Sequence, residues 1–136
     1  MVAHEYAHGY AALRQGDPTA YMLGRLTFNP VKHIDPWMTV LVPLLLWFST
    51  NGGMVFGGAK PVPVNPRNYR NYRRGDIIVS LAGIATNLVL AAASLLVFVV
   101  VGLAGAAVPD INAMLAILQR MMLWGIWLNL LLAVFN

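Results

Sequence analysis

The chain has 136 residues, of which 59% are apolar and only 10% are charged, and its net charge is +4. A soluble domain carries about 25% charged residues, so this composition excludes a protein whose surface mostly faces water. Five of the nine basic residues fall between two apolar stretches, as in cytoplasmic loops that face anionic lipid. These five are Lys60, Arg67, Arg70, Arg73 and Arg74. We therefore expect an integral membrane protein that contacts the lipid bilayer and binds no nucleic acid.

The first third of the chain predicts a helix followed by irregular structure. Residues 2–14 are rich in alanine and glycine, and such small residues let membrane helices approach closely. Residues 15–36 are mixed in character, and Tyr21 to Phe28 is compatible with a strand or hairpin arm. Proline follows Asn29 and Asp35, which marks turns after this segment.

The apolar stretch 37–57 does not read as a simple membrane span. Pro43 and several glycines interrupt it, and the loops on either side, 14–35 and 58–76, are both net basic. Both loops therefore favour the cytoplasmic side, which one full crossing would not allow. The pattern predicts a re-entrant segment with a short helix over 37–48, a turn near 51–58 and a strand near 60–64.

Two long apolar runs complete the chain. Ile77 to Val108 and Met114 to Phe135 each exceed the roughly 20 residues that cross a bilayer, and Pro109-Asp110 forms a turn between them. The predicted fold is a membrane all-α bundle, built from the first helix and two long transmembrane helices, with a re-entrant segment and short β elements. It constitutes one membrane-embedded domain over residues 1–136.

The motif HEYAH at the start of the chain predicts a metal site. On a helix, His4 and His8 lie on one face, so both imidazoles can reach one tetrahedral zinc ion. Glu5 stands beside the first ligand, where a carboxylate can act as general base. Ionisable groups in a membrane helix are costly and indicate function.

The sequence leaves the third ligand of the metal open. A catalytic zinc normally has three protein ligands, and His33 is the one other histidine. It is either a ligand or a hydrogen-bonded residue at the membrane interface. The aspartates all stand beside turns, and none has an obvious path to the metal.

At this point the chain resembles the site-2 protease family of intramembrane zinc metalloproteases, in its compact prokaryotic form without a PDZ domain. The resemblance rests on five segments in family order: HEYAHGY, GRLTFNPVKHIDP, GGAKPVPVNPRNYRN, SLAGIATNLVLA and NLLLAVFN. One departure is Ile84, which stands where the family's AGPxxN motif has proline. The chain also ends at Asn136, before the position of the family's Leu-Asp-Gly motif.

The resemblance implies an intramembrane zinc endopeptidase in a prokaryotic cell membrane, with its active site near the cytoplasmic face. His4 and His8 then bind Zn²⁺, and Glu5 is the general base. The third ligand is expected downstream of Asn136, so the chain is expected to be truncated at both ends and inactive by itself. The expected substrate is a single-pass or membrane-anchored protein.

Further residues are candidates for contact with the substrate. Asn87 matches the asparagine of AGPxxN, and it either orients substrate or stabilises an oxyanion, or makes an interhelical hydrogen bond. In the segment AKPVPVN, Lys60, Val62 and Val64 keep their N–H groups on one edge, because Pro61 and Pro63 have none. That edge either pairs with an unwound substrate or belongs to an extended linker.

Two other functions are compatible with this sequence. One is a non-catalytic membrane protein of the same fold that binds other proteins. The other is a small transporter or channel subunit, although no charged residue lies deep in either long span.

Overall fold

The computed structural model describes residues 1–107 and 112–135. The helices are α1 (Val2–Gln15), α2 (Thr19–Met22), α3 (Val42–Ser49), α4 (Tyr72–Ala107) and α5 (Asn112–Phe135). Single 3₁₀ turns cover Pro30–His33 and Pro66–Asn68, and a π-helical turn over Pro36–Leu41 leads directly into α3. The chain divides into two compact units, Met1–Ala82 and Gly83–Asn136.

Helix α1 confirms the predicted first helix and ends at a glycine. Gly16 has a φ of 111°, a left-handed conformation that side chains rarely adopt, and its N–H donates to the carbonyls of Ala12 and Leu13. A Cβ at Gly16 would also lie 3.1 Å from the carbonyl oxygen of Asn68. The chain therefore reverses sharply after α1, directly beside the segment that precedes α4.

Asp17 ties this end of α1 to the distant segment. Its side chain is fully buried and accepts hydrogen bonds from the Asn65 N–H at 2.6 Å and from the Asn68 Nδ2 at 2.9 Å. The N–H and the hydroxyl of Thr19 donate to the same carboxylate. Burial raises the pKa of Asp17, but these hydrogen bonds outweigh burial and hold the pKa below its usual value.

The apolar segment that follows His33 runs outward and then returns to the residues next to its own start. Asp35 caps the start of the helical stretch by accepting from the N–H groups of Trp37 and Met38, both at 2.9 Å. The returning chain pairs with the outgoing one, because the Gly58 N–H donates to the Met38 carbonyl at 2.9 Å. The predicted short helix over 37–48 is confirmed, and tight hydrogen bonds over 50–53 form the turn that follows.

The predicted short β elements are not supported. No strand forms among residues 1–107 and 112–135, and Tyr21 to Phe28 contains the end of α2 and turns instead. Residues 60–64 lie outside regular secondary structure and have no neighbouring strand to pair with. The physical reason is that the Val62 N–H donates to a side chain, while the prolines on both sides of Val62 have no N–H to offer.

Helices α4 and α5 are the two long apolar helices that the sequence predicts. They are long and apolar enough to cross a membrane, and only 11% and 6% of their most apolar windows are buried. Apolar faces that are so exposed are typical of lipid contact and not of a soluble core. Helix α4 begins before the predicted Ile77, because the Asn71 side chain caps its first turn by accepting from the Arg74 N–H at 3.1 Å. The predicted end at Val108 and the Pro109-Asp110 turn lie outside the described residues.

The second unit is formed by the remainder of α4 together with α5. Gly125 of α5 lies against Ser94, since a Cβ at Gly125 would be 2.9 Å from the Ser94 hydroxyl. The Gln119 side chain donates to the Phe98 carbonyl at 3.3 Å. Small residues and polar side chains thus join the two apolar helices, as is typical of helix pairs in membranes.

Candidate metal centre

His4 and His8 converge on one point, as the HExxH spacing predicts. Their Nε2 atoms lie 3.0 Å apart, and the ring planes are inclined at 76° with centroids 4.6 Å apart. Two nitrogens bound to one tetrahedral zinc at 2.0–2.1 Å would be about 3.3 Å apart. The pair therefore fits two of the ligands of a zinc ion, with a small outward adjustment of the rings.

A backbone carbonyl selects the tautomer of neutral His8 that metal binding through Nε2 requires. The Nδ1 of His8 lies 2.7 Å from the carbonyl oxygen of Val79 on α4. A carbonyl only accepts, so the hydrogen is on Nδ1, and in the neutral imidazole the lone pair is on Nε2. Metal-binding histidines are typically oriented by such a hydrogen bond from the second ring nitrogen.

Glu5 is held by the backbone of the extended segment 59–65, which we call the strap. The Oε2 of Glu5 accepts a hydrogen bond from the Val62 N–H at 2.8 Å, across 57 residues of sequence. The carboxylate is thus fixed through one oxygen and keeps a second oxygen for chemistry. Next to a histidine pair, a carboxylate held in this way is placed to move a proton.

Three further contacts hold the strap in place against α1 and its surroundings. Val62 is buried and packs directly over Gly9, where a Cβ would come within 2.9 Å of its Cγ1. Arg25 donates from Nη2 to the carbonyls of Lys60 and Pro61, at 3.1 and 3.4 Å. At the strap's far end the buried Asp17 carboxylate accepts from the Asn65 N–H, and just beyond the strap it accepts from the Asn68 side chain. The position of the strap relative to Glu5 is therefore set from both ends.

The described residues do not supply a third metal ligand to this pair. No group of three or more His, Cys, Asp or Glu side chains that could hold a metal occurs within residues 1–107 and 112–135. His33 is 2% exposed, and its Nε2 donates to the carbonyl of Thr27 at 2.8 Å. Of the two readings of His33, the structure supports the hydrogen-bonded one.

The other candidate residues are placed as follows. The Lys60 N–H donates to the carbonyl of His33 at 2.8 Å, so it joins the strap to the preceding segment. Val64 is 36% exposed, at the far end of the strap. Asn87 is fully buried within α4, in the second unit. Roles for these three residues in substrate binding stay predictions.

Sequence reasoning missed the residues that position the site. Asp17 reads locally as part of a Gly-Asp-Pro turn, Gly9 as one of several small residues in α1, and Val79 as one apolar residue in a long run. Each acts through a partner tens of residues away. The sequence offers one indication for Asp17. The chain has only five acidic residues, so each carboxylate is uncommon and suggests a specific role.

The chain is similar to bacterial proteins that carry a metalloprotease name. It is 44% identical over 88 residues, 65% of its length, to "Putative zinc metalloprotease YwhC" of Bacillus subtilis. It is 37% identical over 91 residues, 67% of its length, to "Putative zinc metalloprotease Rip2" of Mycolicibacterium smegmatis. The Mycobacterium tuberculosis protein of the latter name is 35% identical over the same length.

These similarities cover part of each relative. The aligned segments amount to 36% of the Bacillus protein and 33% of the mycobacterial ones, so the chain spans about a third of their length. No family model matches the chain, and no solved structure does either. Over about two thirds of its length, the chain is homologous to these proteins, whose zinc metalloprotease names agree with the site-2 protease resemblance of its motifs.

Proposed function

We propose that this chain carries the catalytic core of an intramembrane zinc endopeptidase that cleaves membrane-anchored protein substrates. The observation that supports it most directly is the convergence of His4 and His8 at 3.0 Å, beside a carboxylate fixed by the strap. The zinc metalloprotease names of its relatives support the same chemistry. This convergence favours a protease over the transporter, because a transport path does not require paired metal ligands next to a fixed base.

The residues divide the chemistry between them. His4 and His8 would hold the zinc ion through Nε2, and the family resemblance implies an aspartate as the third ligand. When bound, zinc lowers the pKa of a coordinated water and polarises the scissile carbonyl. Glu5 accepts the proton of the attacking water and then delivers it to the leaving amine. The Val79 carbonyl keeps His8 in the tautomer that this requires.

We propose that the substrate is a single-pass or membrane-anchored protein, unwound where it is cut. A helix hides its carbonyls in its own hydrogen bonds, so the scissile bond becomes accessible only in extended form. The exposed apolar faces of α4 and α5 support a location within lipid. Asn87 and the exposed edge at Val64 are the residues proposed to contact the unwound chain.

We further propose that the segment 36–58 enters the membrane partway from the cytoplasmic side and returns. The π-helical turn of 6 residues and the 8 residues of α3 reach about 21 Å, less than the roughly 30 Å of the hydrocarbon core. The hydrogen bonds Gly58 to Met38 and Lys60 to His33 hold both ends together. These features favour entry and return on the same side of the membrane, which would place the active site near that side.

A reconstituted cleavage assay tests the proposed function. The full-length protein is placed in liposomes with a single-pass substrate, and cleavage is followed with and without a chelator. We expect the chelator to stop cleavage and added zinc to restore it. His4→Ala and His8→Ala should each lose zinc and activity together. Full cleavage by a metal-free preparation of either variant would refute the proposal.

A further inference from the structure

We propose that the backbone N–H of Val62 is a positioning group for the general base Glu5, an inference that rests on the proposed function. The two groups meet at 2.8 Å, and Val62 is buried, so water competes little for the contact. A carboxylate that accepts one N–H through Oε2 keeps a defined orientation, which leaves Oε1 to take the proton from water. The sequence motif supplies the base, and the strap supplies its orientation.

The two prolines around Val62 make this contact specific. Pro61 and Pro63 have no N–H, so Val62 offers the single amide donor of the Pro-Val-Pro triplet. A residue before proline is also restricted to extended conformations, which limits how the Val62 amide can turn. The triplet therefore presents a single N–H in a defined direction, and this N–H donates to Glu5.

Packing of Val62 against α1 fixes the distance between the Val62 amide and Glu5. Gly9 stands one helical turn after Glu5, on the same face of α1. Its missing side chain lets Val62 approach so closely that a Cβ at Gly9 would lie 2.9 Å from Val62 Cγ1 and 3.3 Å from the Ala20 Cβ. The valine side chain is stiff, so it sets the height of the strap above the helix.

Contacts on both sides of Val62 hold the strap in this register. Arg25 donates to the carbonyls of Lys60 and Pro61, and at the far end of the strap the Asn65 N–H donates to the buried Asp17 carboxylate at 2.6 Å. A displacement of about 1 Å at a catalytic group can cost about a hundredfold in rate. These tethers are therefore suited to catalysis as well as to folding.

Replacing the amide of Val62 by an ester tests the proposal with the smallest chemical change. The ester removes the N–H and keeps the side chain and the chain path. The matched control is the ester at Val31, since Val31 also follows a proline and its N–H donates at 3.0 Å to the exposed Asn29. In the reconstituted full-length protein, we expect the Val62 ester to lower kcat about tenfold or more. KM should change less than about twofold and zinc content should stay the same, whereas the Val31 ester should behave as the unmodified protein.

A spectroscopic readout separates the contact from catalysis. Glu5 is the single glutamate of the 136 residues, so ¹³Cδ-glutamate labelling of this chain gives one carboxylate signal. We expect that signal to move in the Val62 ester and to stay unchanged in the Val31 ester. Hydrogen exchange of the Val62 amide in the unmodified chain should be slow, and this measurement does not depend on any variant folding.

The outcomes distinguish this inference from the proposed function. A Val62 ester with unchanged kcat and an unmoved Glu5 signal overturns the positioning role, and so does unprotected exchange at the Val62 amide. A Val62 ester that loses its zinc also overturns it, because the strap would then support the metal site and not the base. Full activity in Glu5→Gln refutes the proposed function itself, whatever the esters show.

Discussion

Replacing Asp17 by asparagine removes one charge and one hydrogen-bond acceptor from the interior of the first unit. The aspartate oxygen Oδ2 accepts from the Asn65 N–H at 2.6 Å, and Oδ1 accepts from Asn68 at 2.9 Å and from Thr19. Asparagine retains one oxygen. Its NH₂ group would have to face a donor, either the Asn65 N–H or the groups now bound to Oδ1.

The expected cost follows from these contacts. A hydrogen bond to a charged group contributes about 1.5–3 kcal/mol, and a buried donor left without an acceptor costs about 1–3 kcal/mol. Local relaxation recovers part of this sum, so we expect Asp17→Asn to lower the free energy of unfolding by about 3 kcal/mol. For a chain of this size that corresponds to a decrease in Tm of about 10 °C.

Tryptophan fluorescence of the detergent-solubilised protein measures this change, since the chain has four tryptophans. Asp35→Asn is the matched control. Asp35 caps a helix by accepting from Trp37 and Met38, and an asparagine oxygen caps equally well, so its Tm should change by less than about 2 °C. If both variants shift Tm equally, Asp17 is not the connection between α1 and residues 65–68 that the structure indicates.

The pH dependence gives a second check on Asp17. Its pKa is lowered in the folded state, so the stability that it contributes is complete above the ordinary aspartate pKa of about 3.9. That contribution is lost as the pH falls through the lowered value. The Tm difference between the unmodified protein and Asp17→Asn should therefore be constant near neutral pH and shrink below about pH 4. A difference that grows on acidification would contradict this account.

Three further predictions concern the strap, the topology and the metal. Gly9→Ala should lower Tm although alanine favours helix, because the added Cβ would collide with Val62 and Ala20. Gly58→Ala is the control and should leave Tm nearly unchanged, since its Cβ would have no contact closer than 3.7 Å. Equal Tm values for the two variants would contradict the packing of Val62 over Gly9. The chain has no cysteine, so single cysteines at the exposed Tyr21 and Arg70 can be labelled from one side of the membrane, and labelling from opposite sides would refute the re-entrant segment. The 136-residue chain alone should bind zinc weakly and cleave nothing, because two imidazoles leave the ion half-coordinated. Metal-dependent cleavage by the chain alone would contradict this and make His33 the first ligand to test.

The parts of the site that sequence predicts are those encoded by local geometry. His4, Glu5 and His8 lie within one and a half turns of one helix, so their spacing alone brings the histidines together. The long helices α4 and α5 are equally local, because length and apolar composition define them. The re-entrant segment over 36–58 stays a prediction from glycine, proline and the charge of the flanking loops.

The parts that sequence missed depend on contacts between distant segments. The partners of Glu5 and His8 are 57 and 71 residues away, at Val62 and Val79, and both partners are backbone groups, which the pattern of side chains does not reveal. The strand predicted at 60–64 failed for a related reason. The proline spacing identified which N–H groups remain, but it did not reveal that the Glu5 side chain accepts from Val62 and the His33 carbonyl from Lys60.

We propose that Glu5 performs the chemistry while the histidines hold the metal, and a single variant separates these two roles. Glu5→Gln keeps a side-chain oxygen for the Val62 N–H and removes the basic carboxylate. Zinc content and substrate cleavage are measured on the same reconstituted preparation of the full-length protein. We predict zinc at the level of the unmodified protein and no cleavage above background. Cleavage at the normal rate by zinc-loaded Glu5→Gln would contradict the account.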